Sequence, residues 1–344
     1  MTRIDRLRAS LEEPLLVTNG VNVRYLVGFS SSNAALFVEP DRVRLFSDFR
    51  YAEAAHAVEG VEFVETKRSL VAAVAELLDG AVGFEADAVS YASWEVLRAG
   101  GLELVPRRGL VEALRAVKDE SELERIRRAG EITSKAYARF AEDRFVGRTE
   151  RELAWRLDEL FHEHGAHAPA FETIVASGPN AAKPHARPTD RTIEAGETVV
   201  IDAGAMVDGY NADCTRTFAT GPLPDELIDA YQATLEGQLA GLEAVRAGVT
   251  GVDADAAARD RIEAAGLGAH FGHGLGHGVG LEVHEAPRLS RESNDTLAAG
   301  NVATVEPGVY LEGLGGIRIE DLVIVTEGEP EVLTSFDKNL ITVS

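Results

Sequence analysis

The run TVVIDAGAMVDGYNADCTRTF, residues 198–218, constrains the fold more than any other segment, because it reads as two apolar strands joined by a two-residue turn. Asp208-Gly209 is a strong hairpin signal, since both central positions of such a turn need positive φ angles. With those two residues as the loop, Asp202 falls opposite Thr215 and Asp213 opposite Gly204. Both aspartates then share one face as diagonal neighbours, their backbones roughly 7 to 8 Å apart. Cys214 falls on the other face. Either aspartate alone reads as a solvated strand residue. Together they repel, unless one is protonated or a cation bridges them.

Three further segments carry side chains of the same kind. FGHGLGHGVGLEVHEAP sets His273, His277 and His284 within twelve residues, with Gly272, Gly274, Gly276, Gly278 and Gly280 among them. A lone histidine is more often structural. Three of them in a loop whose glycines let the backbone approach a ligand closely point to at least one metal contact. VATVEPGVYL and GGIRIEDLVIV bring Glu306 and Glu320 into apolar strands. Period-two alternation puts Arg318 on the same face as Glu320, as an orienting ion pair would require. The bland alternative is an ordinary salt-bridged strand.

Four carboxylates and one neutral imidazole carry a charge of −4, which two divalent cations would cancel. Oxygen-rich ligation with a single imidazole suits manganese, cobalt, iron or zinc at a working site better than a structural zinc, which prefers thiolates. Water held between such ions becomes a nucleophile near neutral pH.

Composition narrows the partners. A formal charge of −23 over 344 residues opposes binding to nucleic acid or to anionic membrane surfaces, leaving small ligands and metals. The most apolar stretch, Leu70 to Phe84, is interrupted by Glu76, Asp79 and Gly80 and is too short to span a bilayer. Cys214 is the single cysteine, and no basic-then-apolar leader opens the sequence, so a cytoplasmic location is expected. No G-x-S-x-G is present, and serine or thiol chemistry is not needed.

Two domains are expected, 1–117 and 118–344. In the first, LLVT, RYLVGF, NAALFVEP and VRLFSDF read as strands and RYAEAAHAV as a helix, giving a small mixed α/β domain. The second opens on an amphipathic helix with a capping box at Ser121 and Glu124, and continues with strand-like runs and two helices near 225–247 and 252–265. This pattern predicts an α+β fold with a mostly antiparallel sheet.

DAGA with DCTRT, HGLGHGVGLEVHEAP, VEPGVY and IRIED together resemble the five-ligand signature of the prolidase and aminopeptidase P family, the M24 pita-bread metallopeptidases. NVRYLVGFSSSNAALFVEP and FSDFRYAEAA are similar to that family's creatinase/prolidase amino-terminal domain. The resemblance covers nearly the whole chain. It implies a pita-bread catalytic domain in which Asp202 holds one metal, His277 and Glu306 hold the other, and Asp213 and Glu320 bridge both. It further implies His185 and His284 as catalytic histidines with His273 nearby, and Glu306 as the carrier of a proton to the leaving nitrogen. Two divalent ions, manganese foremost with cobalt or zinc as alternatives, and a homodimer follow from the same resemblance.

Such enzymes act where proline adjoins the scissile bond, since an imide without an N–H and with a fixed φ is handled badly by proteases that rely on backbone pairing. A Xaa-Pro dipeptidase acting on short peptides is the leading expectation. Arg288, and less readily Arg318, would meet the substrate carboxylate. Aminopeptidase P on longer peptides is the alternative, followed by a relative acting at the carboxyl end. Creatinase lacks the five ligands, methionine aminopeptidase usually lacks the amino-terminal domain, and a non-enzymatic binding protein of the same fold would normally have lost ligands.

Overall fold

In the computed structural model, which describes residues 1–344, the chain divides into two compact units, Met1–Arg115 and Ala116–Ser344. No helix is long and apolar enough to cross a membrane.

The first unit is built on a six-stranded sheet, in the order Glu62–Thr66, Val43–Asp48, Ala34–Val38, Leu15–Val17, Ala81–Glu85, Glu103–Arg107. Only Ala34–Val38 runs against its neighbours. Leu16, Phe37, Phe46, Val74 and Leu97 fill one side of it. RYLVGF, expected as a strand, instead lies mostly in the helix Gly20–Val27. Asn19 caps that helix by accepting from Val21 N, and Gly28 at φ +72° closes it by donating to Arg24 O. A short apolar run does not distinguish strand from buried helix by periodicity, and here the caps decide.

In the second unit the helices Glu120–Phe140 and Glu150–Glu163 pack through Tyr137, Phe140, Leu157 and Phe161 onto Val175, Val199, Ile201 and Phe218. These residues belong to a four-stranded sheet ordered Ile341–Thr342, Thr215–Ala219, Thr198–Asp202, Ile174–Ser177. Residues of the helix Gly251–Ala264 and Val245, the cap of Asp225–Ala244, cover Leu289, Ala303, Val305 and Val323 of a second sheet. Its order is Glu285–Leu289, Gly276–Gly278, Val302–Val305, Asp321–Ile324, Glu331–Val332. All pairings in this unit are antiparallel except that of Ile341–Thr342 with Thr215–Ala219. The first helix starts earlier than expected. Its cap is Asp119, whose carboxylate accepts from Glu122 N while Glu122 accepts from Asp119 N.

The hairpin turns where expected, with Asp208 at φ 48° and Gly209 at φ 76°, and Thr215 faces Asp202. The two strands nevertheless do not form one ladder. Thr198–Asp202 pairs with Thr215–Ala219 in the four-stranded sheet, and Ala205–Val207 pairs with Tyr210–Asn211 in a separate three-stranded one. At the break the backbones crowd so closely that a Cβ on Gly204 would overlap Ala212 O. VATVEPGVYL and GGIRIEDLVIV also break, into Val302–Val305 and Gly308–Leu311 and into Gly315–Arg318 and Asp321–Ile324. Each break falls at an acidic residue singled out above.

Candidate active site

The breaks deliver the acidic side chains to one place. Asp202 ends its strand, Asp213 precedes Thr215, and Glu320 lies between two strands, and a carboxylate oxygen from each lies within 4.8 Å of the others. Asp213 and Glu320 are buried. Asp202 Oδ1, Asp213 Oδ1 and Glu320 Oε1 are all buried without a hydrogen-bond partner. Three orphaned carboxylate oxygens aimed at one point fit a divalent cation and fit little else. Burial first, and then the neighbouring carboxylates, push the pKa values of Asp213 and Glu320 well above the usual range.

His277 continues the cluster. Its Nε2 lies 3.8 Å from Asp213 Oδ2 and 3.2 Å from Glu306 Oε1, and its Nδ1 lies 3.1 Å from Gly278 O. The backbone contact at Nδ1 leaves Nε2 facing the acids. Thr304 Oγ1 donates to Glu306 Oε1 and accepts from His277 N, so one hydroxyl fixes both residues. Gly276 makes this approach possible, since a Cβ there would overlap Thr304 O. Burial pushes Glu306 upward, but the His277 contact outweighs it and holds Glu306 at about 2.

Asp202, Asp213, His277 and Glu306 open onto a cavity of about 950 Å³, whose lining also includes His185, His273, His284, Arg288, Phe171 and Ile174. His185, His284 and Arg288 are exposed. The His284 ring stands 4.2 Å from that of His277, centroid to centroid. The partial burial of its ring, and then the neighbouring His277, lower the pKa of His284. The loop carrying His185 is moored at both ends by the buried Glu150, which accepts from Ser177 N and Oγ, Asn180 Nδ2, and Thr189 N and Oγ1.

Arg318 and His273 are more engaged than the sequence suggested. The guanidinium donates to Thr215 Oγ1, Pro184 O, Tyr310 OH and, at 2.7 Å, Asp202 Oδ2. It thus orients Asp202 directly and reaches Glu320 through Thr215, whose hydroxyl donates to Glu320 Oε2 at 2.7 Å. The ring nitrogens of His273 lie 2.8 Å from Gly274 O and 2.9 Å from Tyr310 OH. Sequence reasoning missed Thr215, Thr304 and Tyr310. Thr215 was legible in principle as the residue facing Asp202 in the hairpin register, whereas nothing in the sequence marks Tyr310.

Comparison with known proteins agrees with this geometry. Residues 124–327 match the model of metallopeptidase family M24, and residues 3–117 match that of the creatinase/prolidase N-terminal domain. A Xaa-Pro dipeptidase of Pyrococcus furiosus is 42% identical over 232 residues, 67% of each chain. Among solved structures, the Xaa-Pro dipeptidase from Bacillus anthracis superposes with a TM-score of 0.95 at 37% identity, covering 99% of both chains. The X-Pro aminopeptidase from Thermotoga maritima gives 0.89 at 34% identity, covering 99% of this chain and 100% of its own.

Proposed function

Because this chain belongs to metallopeptidase family M24, we propose that it is a metal-dependent Xaa-Pro dipeptidase, hydrolysing the bond that precedes proline in short peptides. The observation that carries the reading is the convergence of three orphaned carboxylate oxygens beside the His277–Glu306 pair. Asp202 would hold one divalent ion, His277 and Glu306 the second, and Asp213 with Glu320 both. When bound, such ions polarise the scissile carbonyl and activate water. Manganese is the proposed metal, in keeping with oxygen-rich donors and one imidazole.

The chain's own residues supply the rest. His284 is exposed to the cavity and biased towards neutrality, so it can donate a hydrogen bond to the carbonyl oxygen as negative charge develops there. His185, in the same lining, holds the substrate. Glu306 accepts a proton from the attacking water and delivers it to the proline nitrogen. Arg288 pairs with the carboxylate of a dipeptide. A homodimer in the cytoplasm is proposed on the family resemblance, and sedimentation of a fully active monomer at assay concentration would remove the dimer.

Aminopeptidase P activity on longer peptides is the second reading, favoured by the size of the cavity and by the likeness to the Thermotoga enzyme. The two are separated by kcat/KM for a Xaa-Pro dipeptide against the same sequence extended by two residues. The dipeptide should be preferred, and Arg288→Ala should abolish that preference. A preference of about tenfold or more for the extended peptide, unchanged in Arg288→Ala, would assign aminopeptidase P instead.

A further inference from the structure

The break in the hairpin ladder is bridged by a group from another element. Tyr137, on the helix Glu120–Phe140, is fully buried, and its hydroxyl lies 2.7 Å from Cys214 O and 3.1 Å from Ile201 O. Those carbonyls belong to the peptide units that lead into Thr215 and Asp202. One proton thus serves acceptors on two strands, at the point where the four-stranded ladder ends. Beside it, two backbone bonds span the break, Ala203 N to Cys214 O at 3.1 Å and Ala212 N to Ala205 O at 2.9 Å. One helical turn earlier Thr133 Oγ1 accepts from Ala205 N, on the far side of the same break. Burial raises the phenol pKa well above its usual value, so the hydroxyl remains a donor.

We propose that Tyr137 is a positioning residue for the metal centre, its hydroxyl setting the separation of the two strands from which Asp202, Asp213 and Thr215 project. This rests on the metal reading given above. Asp202 and Asp213 sit between two separate ladders, where the strands change sheets, and the Tyr137 hydroxyl is the side-chain donor that ties the two strands together beside the acids. Without the hydroxyl, the Ile201 and Cys214 carbonyls lose their shared donor, and the strands can drift while the apolar core around them stays packed. Metal ligands depend on such outlying hydrogen bonds for their geometry. The effect should therefore appear in metal affinity more than in folding.

The test uses the full chain stripped of metal and titrated calorimetrically with manganese alone, beside thermal unfolding of the stripped protein. Tyr137→Phe keeps the ring and should bind manganese about tenfold more weakly than wild type. Phe140→Leu, in the same helix and core, should lower the unfolding temperature at least as much yet leave the dissociation constant within about twofold. If Tyr137→Phe does not fold, Thr133→Val carries the same expectation from the other side of the break. Unaltered affinity in Tyr137→Phe, or an equal loss in Phe140→Leu, overturns the proposal. A wild-type chain that binds no manganese would overturn the metal reading along with it, and so is distinguishable from failure of this inference alone.

Discussion

His277 Nε2 stands 3.2 Å from Glu306 Oε1, close enough for the proton between them to matter to what the site can bind. Burial works against a charged imidazole here, but the contact with Glu306 outweighs it and raises the His277 pKa. A metal-ligating imidazole must be neutral, so an incoming ion displaces a proton from this pair. It also displaces protons from Asp213 and Glu320, whose pKa values are raised.

Manganese affinity of the stripped protein should therefore increase from about pH 5.5 to pH 7.5, with proton release during binding. Calorimetry in buffers of different ionisation enthalpy measures both. Constant affinity over that range, with no proton released, would contradict the pairing described.

The raised pKa of Asp213 also predicts a stability difference. A carboxyl whose pKa is higher when folded binds more protons in the native than in the unfolded state, so its contribution declines as pH rises above the ordinary value of 3.8. Metal-free Asp213→Asn should melt at a higher temperature than metal-free wild type near pH 8. The gap should close towards pH 4, where the wild-type carboxyl is also neutral. Thermal scans of both proteins across that range decide it, and a gap that widens on acidification would count against it.

His277 and His284, their rings 4.2 Å apart, should fail differently. His277→Ala is expected to lose bound metal. His284→Ala should keep its metal but turn over roughly 10²-fold more slowly, as loss of a transition-state hydrogen-bond donor would cause. Metal analysis beside steady-state kinetics tests the pair, and equal metal loss in both would collapse the distinction.

Arg318 is buried and donates to four partners, one of them Asp202. Arg318→Met leaves that carboxylate and the Thr215 hydroxyl without their donor, a change expected to cost about 3 to 5 kcal/mol. Urea unfolding of the metal-free proteins measures this. A loss below about 1 kcal/mol, the usual value of an exposed pair, would mean that solvent replaces the guanidinium.

Local rules made much of this legible. The Asp208-Gly209 turn fixed the register, and the register put Asp202 opposite Thr215. The same alternation made Arg318 and Glu320 partners, yet they meet through Thr215 and the ion pair is with Asp202. The reason is that the strands break at the acids. Periodicity describes a continuous strand and carries no information on where it changes sheets. RYLVGF was misread for a related reason, since its helix is secured by Asn19 and Gly28 at the ends and not by the apolar pattern between them. Tyr310 and Tyr137 escaped notice because their roles depend on partners brought near only by folding.

Glu150 makes no contact with the cavity, yet it grips Ser177 and Thr189, the two feet of the loop on which His185 stands. The part of the cavity wall that His185 supplies is thus stiffened from behind, at the first turn of a helix. In a genetic screen, a lesion at Glu150 would strike twice: its donors lose a buried acceptor, which lowers the yield of folded protein, and the loop that carries His185 loses the mooring at both its ends.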